Sequence, residues 1–63
     1  MSVAENIKQR REALDMSQEE LGNACGITQA MVSQLERGTK NPSLQVGALI
    51  ASALKCDIHD LLR

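Results

Sequence analysis

The chain has 63 residues, 43% of them apolar, with no Phe, Tyr or Trp. A chain this short buries only about 60% of the surface its unfolded form exposes, which excludes a two-domain enzyme with a deep, walled cleft. Eight Asp and Glu against seven Lys and Arg give a net charge of −1, which excludes indiscriminate nucleic-acid binding, a function that relies on a basic excess.

The elements expected in chain order are short helices, because β-branched residues nowhere alternate with polar ones over a useful length. Ser2 caps a first helix running to about Asp15, with Ile7 and Leu14 one heptad apart on one face. Ser17 caps a second, and Glu20 stands three residues later in the capping-box spacing. That helix ends near Cys25, where Gly26 suits a left-handed turn. Thr28 caps a third helix to about Arg37, ended by Gly38. The one clear loop is Gly38-Thr39-Lys40-Asn41-Pro42. Ser43 caps a fourth helix, with Leu44, Ile50 and Leu54 expected on one face, weakened by about 1 kcal/mol at Gly47. Asp57 caps a last short helix through Leu61 and Leu62. The expected fold class is all-α, a bundle of about five helices forming one domain over residues 1–63. No apolar run approaches the ~18 residues of a membrane span, and residues 1–15 are too charged for a signal peptide. A soluble, cytoplasmic domain is the expectation.

Residues 17–38, SQEELGNACGITQAMVSQLERG, place two helices around a turn that is little more than Gly26. Leu21, Cys25, Ile27, Val32 and Leu35 fit the inward positions of two crossing helices, and Gly22 stands where the second would press closest. This is helix-turn-helix spacing, although a hairpin of core helices alone would satisfy it too. The outward face of the third helix discriminates between them. It presents Thr28, Gln29, Ala30, Ser33, Gln34 and Arg37, where a merely solvated face is usually rich in Lys and Glu. A Gln amide pairs with the edge of adenine, Ala and the Thr methyl suit the thymine methyl, and Arg suits guanine or phosphate.

With SQEELG, the Gly26 turn, LERG at Leu35–Gly38, NPSL at Asn41–Leu44 and the closing DIHDLL in register, the chain resembles the phage repressor/Cro-type helix-turn-helix family over essentially its whole length. The resemblance implies a lambda-repressor-like DNA-binding fold, with the helix-turn-helix at helices 2 and 3. It assigns base reading to Gln29 and Gln34, with Thr28, Ala30 and Ser33 lining the groove. It assigns backbone contacts to Ser17, Gln18, Asn23, Arg37, Lys40, Asn41 and Ser43. Two departures stand out. Ala30 replaces a polar reader that some relatives carry, and Gly22 stands where Ala is commoner. Arg11 falls beside the buried stripe of the first helix, so it needs a carboxylate; the family pairs the matching Arg with the Glu of LERG, here Glu36.

Other chemistries are weaker. Cys56-x-x-His59 with Cys25 supplies at most three good ligands where a zinc site usually wants four, so no metal and no cofactor are expected. The carboxylates Glu19, Glu20, Asp57 and Asp60 lie near helix starts, where the dipole explains them, and no enzyme activity is expected. Leu49, with Val46, Leu61 and Leu62 nearby, is a candidate dimer patch. The reading is a sequence-specific regulator of double-stranded DNA, a homodimeric repressor on a near-palindromic operator, with no membrane and no small-molecule ligand. The alternatives are the DNA-binding antitoxin of a toxin–antitoxin pair and a protein-interaction module of the same fold.

Overall fold

Four hydroxyl side chains set where the helices begin. In the computed structural model, which describes residues 2–62, the elements are α1 (Val3–Ala13), α2 (Gln18–Cys25), α3 (Gln29–Arg37), α4 (Leu44–Ala53) and α5 (Ile58–Leu62). The hydroxyls of Ser2, Ser17, Thr28 and Ser43 each accept from the backbone amide three residues on, at 3.0–3.1 Å. Ser2 and Ser17 complete capping boxes with Glu5 and Glu20. Such caps satisfy amides that the helix itself leaves without partners. At α5, Asp57 Oδ1 accepts from the His59 amide at 2.9 Å.

The helix ends follow an equally local logic. Gly26 and Gly38 take the left-handed conformation, at φ 72° and 78°, and stop α2 and α3. Asp15 and Lys55 reach the same region at φ 60° without being glycine. Each is held by a six-residue hydrogen bond across the turn, Met16 N–H to Arg11 O at 3.1 Å and Cys56 N–H to Ala51 O at 2.9 Å. The first helix therefore stops at Ala13 rather than near Asp15.

Packing is entirely aliphatic. Ile7, Leu21, Cys25, Val32, Leu35, Ile50, Ala51, Leu54 and Leu61 form one buried cluster drawn from all five helices. The α3 helix packs on α1 and α2, α4 packs on α2 and α5, and α5 closes back on α1. Asn6 is buried and its amide donates to the Leu61 carbonyl at 3.2 Å, tying the first helix to the last. No helix among the described residues is long and apolar enough to cross a membrane.

Three expectations about leucines need correction. Leu14 lies past the end of α1 and is 38% exposed, so Ile7 holds the stripe without it. Leu44 is 75% exposed. It is six residues from Ile50, which at about 100° per residue puts it well off the core face; Gly47 and Ala51 share that face with Ile50 instead. Leu61, expected on a dimer patch, is fully buried in the core, whereas Leu49 and Leu62 are exposed. Within the short α5, Leu61 faces inward and its neighbour Leu62 faces out.

Gly47 is an opportunity for stabilisation. A Cβ there would meet Ile58 Cδ1 at 3.6 Å, an ordinary van der Waals contact. Gly47→Ala is expected to add about 1 kcal/mol from helix propensity, raising the melting temperature by about 4–8 °C in a domain of this size. A thermal melt followed by circular dichroism checks it.

Candidate nucleic-acid interface

The outward face of α3 takes no part in the core. Gln29, Ala30 and Arg37 are exposed, and Ser33 and Gln34 are half-buried at its flanks. The opposite side carries Val32 and Leu35 into the cluster. Between Thr28 and Glu36 this outward surface is free of charge. Thr28 is exposed, but its hydroxyl oxygen is engaged as the cap of α3, accepting from the Met31 amide at 3.1 Å. Its methyl group, its hydroxyl hydrogen and one lone pair are left for any other partner.

The turn that presents α3 is packed backbone to backbone. The Gly22 carbonyl accepts from the Ile27 amide at 2.9 Å and from the Gly26 amide. A Cβ at Gly22 would lie 2.7 Å from the Ile27 carbonyl oxygen and 3.3 Å from the Thr28 carbonyl carbon. The start of α3 is thus set against the middle of α2 at a contact where a Cβ would fit only if the turn shifted.

A buried polar network fixes the other end of the pair. Arg11 Nε lies 2.6 Å from Glu36 Oε2, and a second guanidinium nitrogen lies 3.0 Å from Oε1. The third nitrogen donates to the Met16 carbonyl at 2.7 Å. The Glu36 side chain is only 4% exposed and that of Arg11 only 11%. The hydrogen bond from Arg11 to Glu36 raises the guanidinium pKa above its ordinary value; burial opposes the shift and the Glu36 and Glu12 charges assist it. The pair joins α1 to the last turn of α3.

Gln18 belongs to this network, which its sequence position did not reveal. Its amide nitrogen donates to Glu36 Oε1 at 3.1 Å. One of its two N–H bonds is therefore directed inward, and the side chain is half-buried. The link brings the first turn of α2 beside the end of α3. Ser17, which caps α2, is exposed, as are Asn23, Lys40, Asn41 and Ser43. Between α3 and the start of α4 lies an open apolar groove of about 190 Å³, lined by Met31, Leu35, Pro42 and Val46 with Lys40, Asn41 and Ser43 at its rim. It lies where α3 and α4 diverge, a gap that periodicity does not reveal.

The remaining reactive side chains are dispersed. Cys25 is buried and Cys56 half-buried, both as free thiols. Burial pushes the Cys25 thiol above its ordinary pKa, which makes it a poor nucleophile. His59 stands out in solvent with Nδ1 3.3 Å from Asp57 Oδ1.

Comparison with known proteins agrees with this geometry. The helix-turn-helix family model matches residues 7–61. The P22 c2 repressor, solved in complex with synthetic operator 9T, superposes with a TM-score of 0.96 at 30% identity, covering 100% of this chain and 96% of that one. An HTH-type transcriptional regulator of Sinorhizobium fredii, y4dL, is 40% identical over 60 residues, 95% of this chain. The control protein C.SmaI of Serratia marcescens is 30% identical over 95% of this chain and 71% of its own length. The chain spans only 30% of the length of the Sinorhizobium protein. The chain belongs to the Cro/C1-type helix-turn-helix family, and its fold is that of the repressor DNA-binding domains.

Proposed function

We propose that the protein is a sequence-specific regulator of transcription that binds double-stranded DNA by placing α3 in the major groove, and that it acts as a repressor. The observation that carries this reading is the outward face of α3, exposed or half-buried and uncharged from Gln29 to Gln34 although a turn and a buried ion pair hold the helix rigidly. A rigid amide-bearing face suits base edges, which are read by paired hydrogen bonds. The operator in the P22 c2 repressor complex is a precedent within the same fold.

In this reading Gln29 and Gln34 read bases, Ala30 and Ser33 line the groove, and Thr28 contributes its methyl group. Ser17, Gln18, Asn23, Arg37, Lys40, Asn41 and Ser43 hold the sugar–phosphate backbone on either side, Gln18 with the N–H that Glu36 leaves free. Arg37 and Lys40 are the cations on α3 and its following loop. They contribute to the salt dependence of binding, since each neutralised phosphate adds about −0.9 to the log–log slope.

Such a module spans few base pairs, so two copies on a near-palindromic operator follow, with half-sites about one helical turn apart. Leu49 and Leu62, exposed at 49% and 46%, supply the apolar surface for that pairing. Its small extent gives a dimer that is weak when free and firmer on DNA. The protein works in the cytoplasm as a binding protein rather than an enzyme, without a cofactor or a small-molecule ligand.

Titration into fluorescently labelled duplex from upstream of its own gene, against a scrambled duplex, tests this. Specific binding is expected at two protomers per site. Gln29→Ala/Gln34→Ala is expected to reduce the preference over the scrambled duplex by at least tenfold, since each bidentate base contact discriminates by about 1–3 kcal/mol. Its melting curve should be unchanged, because neither side chain belongs to the core. Equal affinity for both duplexes up to tens of micromolar would refute the reading.

A further inference from the structure

The groove between α3 and α4 is apolar at its floor and cationic at its rim. Met31 and Leu35 of α3 line it together with Pro42 and Val46, and Lys40, Asn41 and Ser43 stand at the edge. Lys40 is exposed and carries the charge of the lining. No carboxylate lies between Glu36 and Asp57 in the sequence, a stretch that holds Arg37, Lys40 and Lys55. Glu36 itself is buried and paired with Arg11. The positive end of the α4 dipole opens on the same rim, with no acidic residue in the first turn of that helix to compensate it.

Size and charge together limit the occupant. Small-molecule sites usually enclose about 300–1,000 Å³, so a groove of about 190 Å³ is too small for an effector and suits a single apolar side chain. A nucleic-acid strand does not match its floor, because a charged phosphate set against apolar walls loses hydration without gaining partners. A protein segment with one large apolar side chain between carboxylates matches both parts. The side chain fills the floor, where the unbranched Met31 can re-pack around it, and the carboxylates meet Lys40 and the start of α4. We propose that this groove is the docking site for such an acidic, apolar-anchored segment of a partner protein. Lys40, Asn41 and Ser43 are also the residues read above as backbone contacts to DNA. Resting on that reading, partner and DNA exclude each other, and the partner acts as an inhibitor of DNA binding.

Short random peptides displayed on phage are selected against the folded protein, and the best is synthesised with a fluorescent label. Selected sequences are expected to share one large apolar residue flanked by Asp or Glu. Replacing that residue by alanine in the peptide is expected to weaken binding about tenfold or more, the loss of one buried side chain. Lys40→Glu, at an exposed position outside the core, is expected to weaken it about fivefold, the upper worth of an exposed ion pair. With methyl-labelled methionine, the Met31 signal should shift on binding while that of Met16, outside the groove, stays in place. Failure to enrich any peptide, enrichment of peptides without carboxylates, an unshifted Met31 signal or full affinity in Lys40→Glu would each overturn the proposal. The peptide should also displace labelled operator duplex, and a complex holding both would overturn the exclusion. A protein that takes the peptide beside Met31 but binds no duplex is a different result, which refutes the DNA reading and upholds the docking site.

Discussion

Arg11→Met is expected to destabilise the domain by about 3–5 kcal/mol, the usual cost of removing one member of a buried ion pair. The Glu36 carboxylate would lose two charge-assisted hydrogen bonds while its side chain stays almost wholly buried. The Met16 carbonyl would lose its donor as well. A domain of this size has about 3–9 kcal/mol of stability in total, so the variant should lose about a third of it or more. Urea melts by circular dichroism decide this, because a chain without Trp or Tyr has almost no fluorescence of its own. Replacing both partners, as in Arg11→Met/Glu36→Leu, removes the orphaned charge and should recover much of the loss. Relative preference among DNA sequences should not change, since neither residue lies on the outward face of α3. An Arg11→Met variant as stable as the wild type would contradict the network's structural role.

Gly22→Val is expected to abolish cooperative folding. A Cβ at this position already comes within 2.7 Å of the Ile27 carbonyl oxygen, and the atoms around it are backbone rather than flexible side chain. Two further methyl groups would have to displace the turn that sets α3 against α2. Overpacking of a rigid site costs about 1–3 kcal/mol or more, and here it also threatens the hydrogen bonds from Gly26 and Ile27 to the Gly22 carbonyl. Circular dichroism should show weak helicity and a broad thermal transition. A sharp transition near the wild-type temperature would mean that the turn is more compliant than its geometry implies. Gly47 is the internal control, because the same residue type there meets only a side-chain methyl at 3.6 Å.

What could be read from the sequence was local chemistry. Ser2, Ser17, Thr28 and Ser43 marked helix starts because a cap acts within three residues, and Gly26 and Gly38 marked stops for the same reason. The all-α fold and its helix-turn-helix followed from that punctuation and from the spacing of inward apolar positions. The leucines at helix ends were less legible. Leu44 and Leu61 each sit within two residues of an end, where periodicity is too short to assign a face. Leu14 lies past its helix altogether. What covers such positions depends on where neighbouring helices arrive.

The same limit applies to the site. The need of Arg11 for a carboxylate could be argued from its place beside Ile7, but only family resemblance named Glu36, 25 residues away. Gln18 read as a surface residue because nothing local shows that the first turn of α2 meets the end of α3. Gly22 could be read as the point of close approach, but not that the approach is made by the backbone five residues on. Distances between elements decide these points, and the packing of α3 on α1 and α2 fixes those distances.

The measurement that bears most directly on the reading of α3 is a titration of ¹⁵N-labelled protein with an operator duplex, following each backbone amide by NMR. Large shifts are expected along Gln29–Arg37, at Ser17–Gln18 and through Lys40–Ser43, with the N-terminal half of α1 nearly unmoved. Shifts concentrated on α1 or absent from α3 would contradict the account.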